Sequence, residues 1–189
     1  MTDFTTAAKV KSFFQISTNT AIDALLAEIL PRITKEIQTI CDRELFEATY
    51  TKYLSGNGTD TLMVPEYPIT EITSIHDDID RVYGADTLLA ATDYIFHAGS
   101  ANALTGIIKG YYTIFSQGEE NIKIVFKAGY ATMPGDIEEA AILMIGADKL
   151  FHDLVFNVPI PEGTYTEQKD PGGMRKRAKE LLRPYVRVR

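Results

Sequence analysis

The chain is short of most residues that carry chemistry. It has one cysteine, Cys41, and no tryptophan. One thiol rules out an internal disulfide and a zinc site built on thiolates. Cys41 occupies an apolar position of a helical pattern, so it is expected to be a core residue and not a nucleophile. The three histidines, His76, His97 and His152, are far apart and match no metal-ligand spacing. No apolar run approaches the ~20 residues needed to cross a bilayer. Met1-Thr2-Asp3-Phe4 lacks a basic stretch followed by an apolar one, so no secretory signal is expected.

Motifs of catalysis are missing too. There is no phosphate-binding loop, no dinucleotide fingerprint and no Gly-x-Ser-x-Gly elbow. Asp77-Asp78-Ile79-Asp80 alternates acids, but it lacks the glycine and distal glutamate of a calcium loop. It reads as a solvated connection between strands. Glu138 and Glu139 are adjacent and diverge on a helix, so paired-carboxylate catalysis is not expected. No enzyme activity, cofactor or metal is predicted.

What is present is architectural. The chain has 189 residues, 45% hydrophobic and 24% charged, enough for a folded domain with a sizeable core. Its formal net charge is −7. From Pro171 onward, Arg175, Lys176, Arg177, Lys179, Arg183, Arg187 and Arg189 face a single acid, Glu180. That tail carries a surplus of six positive charges, which leaves −13 on the first 170 residues. An acidic body with a basic tail points to a tail that docks on something negative.

Periodicity lays out the chain. Thr5 to Phe14 predicts a short helix, with Val10, Phe13 and Phe14 on one face. Ser17-Thr18-Asn19-Thr20 then offers helix caps. Ile22, Leu25, Leu26, Ile29, Leu30, Ile33, Ile37, Ile40, Cys41 and Leu45 recur at three- and four-residue spacing. Pro31 should kink or split that helix. From Ala48 the period becomes two. Thr49 to Leu54 predicts a strand, Gly56-Asn57-Gly58-Thr59-Asp60 a turn, and Thr61 to Val64 an antiparallel return. Further strands are expected near Ile69–Ile75, at Asp93–Phe96, at Gly106–Ile108, at Tyr112–Phe115 and, most cleanly, at Asn121–Lys127. Eight of ten tyrosines lie in this middle region, where they serve core packing or protein contact. Helical signal returns at Pro134-Gly135-Asp136, with Asp136 the expected N-cap. Ile137, Ala140, Ala141, Met144, Ala147, Phe151 and Leu154 form its stripe. The stripe is broad enough to be buried in a domain or against a neighbouring subunit. Val158 to Gly173 reads as a Pro/Gly linker, and Met174–Leu182 as a basic helix ended by Pro184.

The predicted class is therefore α+β: a helical bundle with an inserted small antiparallel β-sheet domain and a C-terminal helical arm. The expected division is residues 1–157 (helices 5–46, β-region 48–128, helix 135–155), then 158–189 as linker and basic arm.

Two stretches carry a family resemblance. The first is Tyr53-Leu54-Ser55-Gly56-Asn57-Gly58-Thr59-Asp60-Thr61-Leu62-Met63-Val64-Pro65-Glu66-Tyr67-Pro68-Ile69, a Gly-rich turn leading to an apolar-Pro-x-x-Pro-apolar corner. The second is Val125-Phe126-Lys127-Ala128-Gly129-Tyr130-Ala131-Thr132-Met133-Pro134-Gly135-Asp136-Ile137, a strand-to-helix junction. In order and spacing these resemble the head–tail connector (adaptor, head-completion) proteins of tailed bacteriophages, over residues 5–155. Gly56, Gly58, Pro65, Pro68, Gly129, Tyr130, Pro134 and Asp136 are the residues that carry the likeness. The resemblance implies a non-enzymatic virion neck protein, assembled in the host cytoplasm as a homo-oligomeric ring, dodecameric by expectation, below the portal. Its implied partners are other copies of itself, the portal protein, a tail-completion or stopper protein, and DNA passing through without sequence specificity. No membrane is implied. The basic tail would contact portal or DNA. Alternative readings are another virion assembly protein, such as a tail-completion or stopper protein, and a nucleic-acid-binding module that uses the tail.

Overall fold

The computed structural model describes residues 3–16, 20–156 and 170–187. In chain order its elements are α1 (Ala7–Phe14), α2 (Thr20–Cys41), β1 (Ala48–Gly56), β2 (Thr61–Met63), β3 (Ile69–Asp77), β4 (Tyr94–Ile95), α3 (Ala101–Thr105), β5 (Ile107–Gly110), β6 (Gly118–Ala128), α4 (Gly135–Gly146), α5 (Lys149–Phe156) and α6 (Pro171–Leu182). Single 3₁₀ turns cover Ala85–Thr87 and Arg183–Tyr185. The fold is α+β. It divides into a helical unit, residues 1–43 and 132–189, and a β unit, residues 44–131, inserted between its two parts in sequence.

The helical unit is built by its apolar stripes. Leu26, Ile29, Ile33, Ile37 and Cys41 of α2 are buried, as are Ile137, Ala140, Met144 and Ile145 of α4. Helix α4 touches α1, α2, α5 and α6, which accounts for apolar residues on so many of its sides. Burial holds the Cys41 thiol near 11, against Arg43, which pulls it down. Cys41 is thus a core residue. Helix α2 runs through Pro31 as one helix. The expected caps Ser17, Thr18 and Asn19 lie outside the described residues.

Three expectations for this unit need correction. Helix α1 begins at Ala7, because the Thr6 hydroxyl caps it by accepting from the Lys9 amide. Asp136 is not the cap of α4. The helix starts at Gly135, and the Pro134 carbonyl already accepts from Ile137 and Glu138. Asp136 therefore sits inside the first turn, where its carboxylate accepts from the Tyr185 hydroxyl (3.4 Å). Finally, the helix expected over 135–155 is two helices. The Asp148 carboxylate accepts from the amides of Leu150 and Phe151 and so restarts the chain as α5.

The β unit contains two three-stranded antiparallel sheets among the described residues, in the orders β1-β6-β3 and β2-β5-β4. Ile69, Ile75, Phe115, Ile122, Ile124 and Phe126 fill its core. The hairpin expected between 49–54 and 61–64 does not form. β1 pairs with β6, from Ala48↔Ala128 to Gly56↔Gly118, whereas β2 pairs with β5, from Thr61↔Lys109 to Met63↔Ile107. The glycine turn instead carries the chain from one sheet to the other. Gly58 donates to the Phe115 carbonyl (3.1 Å), and Phe115 donates to Thr59 (2.9 Å). Those two bonds also explain why Tyr112–Phe115 is not a strand. Its backbone serves the turn, with Tyr112 at φ 61°. The segment nonetheless buries Phe115 completely.

Candidate functional site

Glycines and prolines of the two family-like stretches fix the β unit at its corners. Gly56 N–H donates to the Asn121 side chain (2.9 Å). A Cβ at Gly56 would stand 1.8 Å from the Ser116 carbonyl, so only glycine fits there. Val64 donates to the Gly106 carbonyl (2.8 Å) just before Pro65. At the far corner, Gly129 has φ +111° and donates to the carbonyl of Pro68 (2.9 Å). Tyr130 donates to Leu45 (2.8 Å), and Glu47 donates back to Tyr130 (3.3 Å). The corner-locking system thus has two parts, Gly56 and Gly58 at one corner and Pro68, Gly129 and Tyr130 at the other, with Pro65 next in sequence to the Val64 bond. Pro134 and Asp136 lie in the helical unit, at the start of α4.

Asn121 is the residue that reading by pattern missed. It is buried, and its amide donates to Asp77 (3.2 Å) and to the Ser116 carbonyl (2.9 Å) while its oxygen accepts from Gly56. Its one visible signal was an asparagine beginning the cleanest alternating strand. Asp78 lies within the acidic run Asp77-Asp78-Ile79-Asp80. Its carboxylate accepts from the amides of Tyr83 (2.6 Å), Asp80 (2.9 Å) and Val82 (3.0 Å). These donors, Tyr83 foremost, hold Asp78 below the usual carboxylate range. The acidic run is thus a built loop between β3 and the following turn.

The basic segment forms α6, capped by the Asp170 carboxylate on Gly172 and Gly173. Met174, Ala178 and Leu182 are buried and pack the helix onto α4. Arg43 donates to the Tyr185 carbonyl (2.9 Å), and Arg187 donates its amide to Cys41 (3.0 Å). The helix is therefore part of the helical unit, with an exposed basic side. Arg175, Lys176, Arg177, Lys179 and Arg183 are on that side, and Arg187 is half-buried. Arg175 lies 3.8 Å from Glu36. Lys176, Arg177, Lys179 and Arg183 form no ion pair among the described residues. Arg189 lies outside the described residues.

A groove of about 910 Å³ opens where α1, α4, α5 and α6 meet. Phe13, Phe14, Leu143, Phe156 and Met174 make its apolar floor. Lys176 and Arg177 line its α6 wall, with Glu139 and Glu180 beside them. Phe13 is 51% exposed and also lines a second, smaller depression with Lys9 and Glu138. Exposed aromatic surface flanked by charge suits protein recognition. His76 rests its Nδ1 against the Gly84 carbonyl (3.1 Å). No three His, Cys, Asp or Glu side chains converge among the described residues in a way that could hold a metal.

Comparisons with known proteins agree with an architectural reading. The family model described as head completion protein matches residues 3–146. No curated protein sequence matches the chain. Among solved structures it is similar to a chain in the neck of an empty gene transfer agent particle computed with C6 symmetry. That match has TM-score 0.57 and 17% identity, covering 96% of this chain and 89% of that one. A chain in the neck of the native particle, computed with C12 symmetry, gives TM-score 0.54 and 17% identity over 96% and 88%. One from the virion of the native gene transfer agent particle gives 0.57 and 18% over 96% and 89%. At these identities the likeness establishes the fold.

Proposed function

Since the chain belongs to the head completion protein family, a class of structural proteins and not of enzymes, we propose that it acts in the virion neck as a homo-oligomeric ring joining head to tail. The observation that carries this reading is the extent of the family match. It spans α1 through α4, both sheets and all the corner glycines. The solved structures add support, since their chains come from particle necks computed with C6 and C12 symmetry. The ring, by this proposal a dodecamer, stacks below the portal and presents its other side to a tail-completion or stopper protein. It assembles with them in the host cytoplasm.

DNA passes through such a ring. The acidic body favours passage over retention, because a wall that gathers few phosphate contacts holds the duplex weakly. We assign docking on the portal to Arg175, Lys179 and Arg183, the part of the basic side of α6 that lies outside the groove. Removing α6 would strip Met174, Ala178 and Leu182 from the helical core, so this docking is tested by charge substitution on the intact chain.

The deciding experiment is complementation. Particles produced without this chain should accumulate as DNA-filled heads and separate tails, and purified chain should restore joining. Fully tailed particles made in its absence would refute the neck role. Tight, salt-sensitive binding of the isolated chain to duplex DNA would favour the nucleic-acid-binding alternative instead.

A further inference from the structure

The loop after β3 has properties that the corner-locking system does not require. Asp78 anchors it through three amides, and its own amide donates to Asn121 (2.8 Å). The Tyr83 hydroxyl donates to the Glu120 carbonyl, its ring packs on Tyr53 (5.3 Å), and the Lys123 ammonium lies 5.6 Å from the ring centre. Arg81 (φ 61°) and Tyr83 (φ 55°) both take the left-handed conformation, which costs of order 1 kcal/mol for residues with a Cβ. This rigid and locally strained frame holds two β-branched apolar side chains out in solvent. Ile79 is 68% exposed and Val82 78%. Between and beside them stand the exposed Asp80 and Arg81. Single exposed apolar residues are ordinary. Two of them, presented three residues apart on a pre-ordered loop, are what a binding knob looks like, because ordering costs are already met before contact.

The groove floored by Phe13, Phe14 and Phe156 has the complementary chemistry. It offers apolar surface to Ile79 and Val82, cations Lys176 and Arg177 to Asp80, and carboxylates Glu139 and Glu180 to Arg81. Both halves are on the same chain but on different patches. A contact between two copies through different patches is heterologous, the kind of contact that repeats around a ring when the rotation between neighbours closes. We infer that the Asp78–Tyr83 loop of one copy docks in the α1–α4–α5–α6 groove of a second copy, and that this contact is the ring interface. The inference rests on the ring reading proposed above and specifies where neighbours meet.

The test uses the full chain and measures its assembly by native mass spectrometry and sedimentation. Val82→Asp sets a carboxylate on the aromatic floor. Asp80→Lys sets an ammonium against Lys176 and Arg177. Each should raise the concentration for half-assembly by about tenfold or more, as like charges and buried lone charges do at interfaces. Arg177→Glu should do the same alone and should restore assembly when combined with Asp80→Lys. All three positions are exposed, so the melting temperature should hold, which separates lost assembly from lost folding. Rings unmoved by every variant, or no rescue in the double variant, overturn the interface and leave the neck reading intact. A wild-type chain that stays monomeric both alone and with purified portal overturns the ring reading and this interface together.

Discussion

Gly129 donates its backbone amide to the carbonyl of Pro68 at 2.9 Å, and so ties the two family-like stretches of the chain to each other across the β unit. The bond needs Gly129 at φ +111°, and the backbone of Phe46 and Glu47 fills the space a side chain there would need. A Cβ there would lie 2.4 Å from the Phe46 carbonyl oxygen. Gly129→Ala should therefore lose about 2 kcal/mol or more of stability, read as a fall of several degrees in melting temperature. Gly135→Ala is the contrast. It opens α4, nothing lies within 4 Å of its would-be Cβ, and alanine favours helix. That variant should be neutral or slightly stabilising. Equal losses at the two glycines would refute the corner-lock account.

Asn121 should be the costliest polar residue of the β unit to lose. Truncation to alanine orphans the buried Gly56 amide and takes a donor from the carbonyl of exposed Ser116, beside fully buried Ile122. An unsatisfied buried group costs roughly 1–3 kcal/mol. Asn121→Ala should lose about 2 kcal/mol in urea unfolding. Asn121→Asp keeps the acceptor for Gly56 but sets a second carboxylate against Asp77, so it should not rescue. A loss under ~1 kcal/mol for the alanine variant would show that water replaces the side chain.

What could be read in advance, and what could not, follows from the range of each interaction. Helix α2 was legible because its burial pattern is its own periodicity, from Ile22 to Cys41. β6 was legible for the same reason at period two. Strand partners were not. Gly56-Asn57-Gly58-Thr59-Asp60 has the composition of a hairpin turn, yet β1 finds its partner in β6 and β2 in β5, both far along the chain. Register-making choices of that kind depend on which long strand can cover an apolar face, and local turn chemistry does not contain them. Asp148 and Asp136 fail for a similar reason. Either aspartate has the composition of a cap, and only the path of the backbone decides which one serves. Of the two surfaces proposed for docking, the basic residues were evident from charge. The groove was not, because it draws on four helices separated in sequence.

Cys41 gives the fold a pH limit at the alkaline end. Burial raises its thiol from 9.0 to about 11. The folded chain therefore holds a proton that the unfolded chain releases. Stability from this source is complete below pH 9 and declines as pH rises from there through 11. Cys41→Ala removes this dependence, at the cost of a small cavity. Its unfolding free energy should thus lie below wild type at pH 8 and approach it by pH 11. Parallel curves for the two proteins across that window would show that the thiol does not titrate with unfolding.

The two sides of α6 should separate cleanly under mutation. Met174 is buried against α4, and Met174→Ala should cost about 2–5 kcal/mol as a cavity in the helical core. Arg175, Lys179 and Arg183 recur at four-residue spacing along the exposed side, outside the groove lining. Changing all three to glutamine should leave the melting temperature nearly unchanged, since exposed charges contribute little to stability; even the Arg175–Glu36 contact is long at 3.8 Å and half-exposed. Self-assembly should persist too. Capture on purified portal should instead fall by tenfold or more, and wild-type capture should weaken with added salt as that charge is screened. If the triple variant binds portal as wild type does, the docking surface lies elsewhere and the basic side of α6 only solvates the helix.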